Sequence, residues 1–354
     1  MTRALINTTI SLLITFILLN DISHAHPPWG IAVDTQRRVY FSALETIWKI
    51  DAEGRLAVFR AGVSGRHTHE LRMDEGGNLY GEDLTYEPAT GRWISALWKM
   101  TPAGDFAYLL APTDKPPKGL SIWTDSRGNS YSLQRETPAH ELLLTKRTPD
   151  GNLEALLGSK AALEKRRQTL FYNLGGAAFG AEGAFYFTDG RSVRKLSADG
   201  SIKLLAREVA DAHLLGLTVD ARGDVYVADL KSRRVLKINA DGKASAVLEA
   251  EREWMPTGVA HKDGSLYILE FKSTPAAGSL VPRVRRLSAD GKVTVLATVG
   301  ESRSIARPEE TMRGEKMEAV APSREKVSYT LIGAGALVLA CAFVAWERAR
   351  RRVG

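Results

Sequence analysis

The chain is nearly without cysteine: its one thiol, Cys341, lies in an apolar stretch close to the C-terminus. The rest of the sequence therefore holds no disulfide, even in a compartment that would permit one. About 275 residues in packed sheets need no covalent staple. Large charge imbalance is also missing. A formal net charge of +7 over 354 residues is modest, and part of it belongs to the C-terminal tail, so no nucleic-acid surface is indicated. No HExxH and no paired CxxC occurs, which removes the most specific metal and redox spacings. Between Val327 and Trp346 there is no charged side chain at all.

That last absence bears on topology. Twenty residues at about 1.5 Å rise cover about 30 Å, the thickness of a hydrocarbon core. Residues 327–346 are therefore expected to form a transmembrane helix, with the arginine-rich tail 347–354 on the cytoplasmic side. A C-terminal sorting signal that is later processed shares the same features. At the other end, Arg3, the apolar run Leu12–Leu19 and Ser23-His24-Ala25 read as a secretory signal peptide, residues 1–25, cleaved before His26; an uncleaved anchor is the alternative. Residues 301–326 are charged, poor in aromatics and contain Pro308 and Pro322, which reads as a flexible stalk. These expectations together put residues 26–300 in the periplasm or at the cell surface, tethered to the membrane.

What is present in 26–300 is one unit stated six times. Its clearest copy runs from Gly216-Leu217-Thr218-Val219-Asp220 through Gly223-Asp224-Val225-Tyr226-Val227-Ala228-Asp229 and Arg234-Val235-Leu236-Lys237-Ile238 to Asp241-Gly242. Each copy carries a tyrosine on its second strand: Tyr40, Tyr80, Tyr131, Tyr186, Tyr226 and Tyr267. Each closes its third strand with a tight turn such as Asp150-Gly151 or Asp290-Gly291. Alternation over short runs between glycine turns is a strand signal, and a repeat of roughly 40–50 residues with four strands is that of an all-β propeller. Six copies predict six blades. Blade 1 starts with its innermost strand and blade 6 ends with its outermost, so no strand is exchanged and the ring closes by packing.

The string Gly216 to Ile238 resembles the NHL repeat and, more broadly, the six-bladed propellers of the gluconolactonase (SMP-30) and strictosidine-synthase-like group. That resemblance covers the whole exported domain and implies ligand sites at the mouth of the central channel; the group holds enzymes and binding platforms alike. The metal set that the lactonases place before their inner-strand glycines is not reproduced. The equivalent positions are His26, Trp29, Lys118, Leu215 and Thr257, none of them asparagine, and Asn173 is displaced.

Candidate site residues follow from the segments that enter each inner strand. His67 and His69, at i and i+2 on an extended segment, face one way; with His213 across the channel they are the candidate ligands of one divalent metal ion, Zn or Ca. Solvated loop histidines are the competing reading. Glu70 stands where most copies have glycine. A column of acids ends the tyrosine strands, and Asp83 and Glu270 precede unusually long loops, so Glu70, Asp83 and Glu270 are the candidate catalytic groups. Elsewhere that acid is expected to cap its own turn. Trp29, Lys118 and Trp254 are candidate ligand contacts at the channel mouth, and the basic segment 159–170 reads as a helix over the rim. The resulting function is a binding module for a protein or small-molecule ligand; the alternative is a metal-dependent hydrolase or lyase.

Overall fold

The computed structural model describes residues 27–136, 141–158, 176–180, 183–206, 212–273 and 280–300. The expected signal peptide, stalk, transmembrane helix and tail, the 159–170 helix and Asn173 lie outside the described residues, among which no helix is long and apolar enough to cross a membrane.

Six antiparallel sheets follow one another along the chain. Blade 1 holds β1 (Ile31–Val33), β2 (Val39–Ala43), β3 (Thr46–Ile50) and β4 (Leu56–Arg60). Blade 2 holds β5 (Arg66–Met73), β6 (Leu79–Glu87), β7 (Arg92–Met100) and β8 (Phe106–Thr113). Blade 3 has three regular strands, β9 (Ser130–Glu136), β10 (Glu141–Arg147) and β11 (Leu153–Leu157). Blade 4 is β12 (Ala177–Phe179), β13 (Phe185–Thr188), β14 (Val193–Leu196) and β15 (Ile202–Ala206). Blade 5 is β16 (Leu214–Val219), β17 (Val225–Asp229), β18 (Arg234–Ile238) and β19 (Ala244–Glu249). Blade 6 is β20 (Met255–Lys262), β21 (Ser265–Ser273), β22 (Leu280–Leu287) and β23 (Val293–Thr298). The six-bladed propeller expected from the repeat is present.

The repeating tyrosine has a local cause. In four blades its hydroxyl donates to an aspartate six residues earlier, at the end of the inner strand: Tyr40 to Asp34, Tyr80 to Asp74, Tyr131 to Asp125 and Tyr226 to Asp220. The same aspartate accepts N–H groups of its turn, as Asp125 does from Arg127 and Asn129, so one carboxylate fixes both the turn and the strand that follows. Burial and the adjacent Asp74 carboxylate push the Tyr80 phenol up to about 12.

Blade 3 departs from the pattern. Its inner strand shrinks to one bridge, Thr124 with Ser130. Arg72 of blade 2 substitutes for the missing ladder: its guanidinium donates to the carbonyls of Ile122 and Thr124 and to the Thr124 hydroxyl. The backbone there stays satisfied through a side chain.

The cores lie between blades. Ile31 and Phe41 of blade 1 pack with Leu269, Phe271 and Val284 of blade 6, and the Thr257 hydroxyl donates to the Pro28 carbonyl across the same seam. Each sheet is built from consecutive strands, so the ring closes by packing without strand exchange.

Candidate functional site

The inner strands meet in a collar. The repeat places Gly30, Glu70, Ser121, Gly176, Gly216 and Gly258 at equivalent positions around the axis. A Cβ on Gly176 would lie 2.5 Å from the Leu217 nitrogen, and one on Gly258 would lie 2.2 Å from the Trp29 carbonyl oxygen. The Trp29 and Gly30 amides both donate to the His69 carbonyl, and the Gly176 amide to that of Leu215. Glycine is required because neighbouring backbones touch.

At this level blade 2 carries a carboxylate. Glu70 is buried and accepts the indole N–H of Trp29 at 3.3 Å and that of Trp123 at 2.8 Å, so one side chain ties blades 1, 2 and 3 together. Thr68 pairs with Asp83 and Leu71 with Gly81, leaving His69 and Glu70 bulged opposite Glu82. Glu82 is 8% exposed. Burial first, then the charges of Glu70 and Asp83, push its carboxyl up to about 8.

A pH dependence follows. Folded Glu82 keeps its proton up to about 8, whereas an unfolded glutamate loses it near its ordinary 4.5. Between those values the unfolded chain binds fewer protons, so stability falls as pH rises through that window. Urea midpoints measured from pH 5 to 8 are expected to decline for the native chain and to flatten for Glu82→Gln. Parallel declines in both would show that Glu82 does not titrate in this way.

From the collar a cavity of 700 Å³ runs along the axis, walled by inner-strand residues of all six blades and the turns that follow them. Trp29, Glu70 and Trp123 stand at its collar end; Tyr80, Phe179 and His261 lie along its sides. Burial lowers the affinity of His261 for a proton, and its ring stacks on Tyr226, the two planes within 2° of parallel.

Several sequence expectations change here. The His67 and His69 rings lie side by side, centroids 5.9 Å apart, and His69 also leans on Trp29. His213 is exposed, its amide donating to Asp229. Among the described residues no three His, Cys, Asp or Glu gather as a group able to hold a metal ion, so His67, His69 and His213 do not form the expected ligand set. Glu70 is turned to the two indoles.

Asp83 is no free base: Arg60 grips both its oxygens at 2.9 and 2.6 Å, and Thr68 and Trp98 donate to Oδ1. Glu270 is fully buried and accepts from Arg283 and Arg285. Both acids neutralise buried guanidinium groups. The remaining acids of that column behave as turn caps, Asp189 accepting from the amides of Arg191 and Ser192. Of the expected ligand contacts, Trp29 lines the cavity. Lys118 does not, and its carbonyl accepts from Arg147. Trp254 is buried between the cations of Lys272 and Arg283. Two residues outside the candidate set bear on the site: Trp123, which lines the cavity, and Glu82, which does not line it but lies opposite the bulge that holds Glu70. Trp123 shows in the alignment of the repeats as a departure of blade 3, and Glu82 as the acid beside Asp83.

No protein-family model and no curated protein matches the sequence. Among solved structures, virginiamycin B lyase from Staphylococcus aureus is 13% identical, with a TM-score of 0.41 over 76% of this chain and 83% of that one. A chain of a nidogen/laminin complex is 15% identical, TM-score 0.48, over 74% and 92%. Regucalcin from Agrobacterium tumefaciens, described as a calcium-binding protein, is 13% identical, TM-score 0.40, over 69% and 83%. At such identities and scores no activity passes from them to this chain.

Proposed function

We propose that this chain is an exported, membrane-tethered propeller of the NHL type that binds a small molecule in its axial cavity. The observation that carries the reading is Glu70. A carboxylate replaces glycine at the collar, is held by indoles from two other blades, and stands at the end of a cavity of the size small ligands occupy. A ligand that offers a hydrogen-bond donor or positive charge to this end, and an apolar body to Trp29, Trp123 and Phe179, matches the lining. A metabolite panel screened by thermal shift against the full chain tests it. Hits are expected to stabilise the native chain and to lose that effect in Trp123→Phe and Glu70→Gln. Hits that act equally on all three proteins, or a panel without hits, would sink the reading.

One observation favours an enzyme instead. Glu82 keeps a proton at neutral pH beside Glu70, and a split pair of carboxyls is what acid–base chemistry uses. Turnover of lactone or ester substrates that falls above pH 8 and disappears in Glu82→Gln would favour this reading over simple binding.

A further inference from the structure

A second hollow, of 840 Å³, lies between blades 5 and 6 and shares no residue with the axial cavity. It sits among the connection after β17, the segment entering β20, the end of β21 and the residues after β23. Four cations line it, Lys231, Arg233, Arg252 and Lys272, against one carboxylate, Glu253. That carboxylate is 74% exposed and 4.0 Å from Lys272, a weak, solvated pair. Leu230, Met255, Val281 and Val299 supply apolar wall.

Beneath it lies a cluster of paired charges. Val281, Arg283 and Arg285 project from one face of β22 by the two-residue period of a strand. Arg283 and Arg285 are 5% and 6% exposed. Glu270 and Glu251 engage them, yet Arg283 Nη2 and Arg285 Nε have no acceptor among the described residues. Buried guanidinium donors without acceptors are costly. Two arginines against two glutamates balance in charge, so the attraction of the hollow for anions rests on the four cations that line it. Arg233 also stands in the left-handed region, at φ 51°, where glycine or asparagine is the ordinary choice. A guanidinium occupies a position that local backbone preference would give to a smaller residue.

We propose that this hollow binds a phosphate-bearing ligand. Two exposed guanidinium forks beside two ammonium groups suit a dianionic tetrahedral head, whose three oxygens accept several N–H donors at once, better than a single carboxylate. The apolar wall suits the organic part of a phosphate ester. A soluble phosphate monoester and the monoester headgroup of phosphatidic acid present the same chemistry.

Calorimetric titration of the full-length protein in nonionic detergent tests the proposal with two probes, glycerol 1-phosphate and dihexanoyl phosphatidic acid kept below its micelle concentration. At least one is expected to bind, with affinity falling as salt rises. The double variant Arg233→Gly, Arg252→Gln is expected to weaken binding by about tenfold, the size of one charge-assisted contact. Glycine suits the left-handed backbone and Arg252 is exposed, so folding should survive; Lys231→Gln provides an independent variant with a smaller loss in the same direction. Preference for the monoester identifies a soluble ligand, and preference for the lipid identifies a headgroup. Absence of binding by both probes at about 10 mM, weaker than any specific affinity, would overturn the proposal. So would binding that neither variant diminishes.

Discussion

Replacing Arg60 with alanine is expected to destabilise the propeller by about 3–5 kcal/mol, among the largest effects of any single side chain in it. Arg60 lies at the end of β4, the outermost strand of blade 1, and Asp83 in β6 of blade 2; both are about 4% exposed. The two guanidinium bonds to Asp83 therefore cross from one blade to the next, and the Arg60 head also lies 5.0 Å from the Trp98 ring centroid. Alanine in its place strands a buried carboxylate that Thr68 and Trp98 cannot neutralise. Urea denaturation of Arg60→Ala, Asp83→Leu and the double variant measures the pair directly. The double variant should recover part of the loss, with a coupling of about 2 kcal/mol, because the charge is removed together with its partner. It should not recover all of it, since two donors then lose their acceptor. Additive single effects would show that the pair is not what joins these blades.

The second large effect is expected at Gly258. A methyl group there meets the Trp29 carbonyl oxygen at 2.2 Å and the Trp29 carbonyl carbon at 2.9 Å, both of them backbone atoms of the first blade. No side chain can rotate away, so blades 6 and 1 must separate at the collar. Overpacking of this kind costs about 1–3 kcal/mol and occasionally more, and Gly258→Ala should lie at the upper end. Separation would also strain the Thr257 to Pro28 hydrogen bond on the same seam. Gly76→Ala makes the same chemical change in an exposed turn, where the nearest atoms are side-chain atoms at 3.3 Å, and is expected to cost less than about 1 kcal/mol. Hydrogen exchange should speed up for β1 and β20 amides in Gly258→Ala alone. Equal stability of the two alanine variants would mean that the ring is not closed by this contact.

These two sites mark how far the sequence was legible. The collar glycines stood out because they recur, and their cause is a backbone approach common to several blades. The tyrosines stood out likewise, since their aspartate partners lie six residues away in the same copy. The acids Asp83 and Glu270 were harder. As sequence they looked unusual for the long loops behind them, which suggested chemistry. Asp83 takes its guanidinium from the previous blade, and Glu270 takes two from the neighbouring strand across that long loop. His67 and His69 did fall side by side, as alternation along a strand requires, but His213 on another blade did not complete a ligand group with them.

Blade number, strand order and turn chemistry were thus determined by the sequence alone. They rest on two-residue alternation, glycine turns and bonds within one repeat, all of which span a few residues. The identity of the site was decided by the tertiary structure. Glu70 receives its two indoles from residues 41 and 53 positions away, and Glu82 acquires its raised affinity for a proton from burial and from acids that the bulge brings beside it. The ionisation and pairing of a buried charge depend on the neighbours that surround it once water is excluded, and in a closed ring of blades those neighbours come from other repeats.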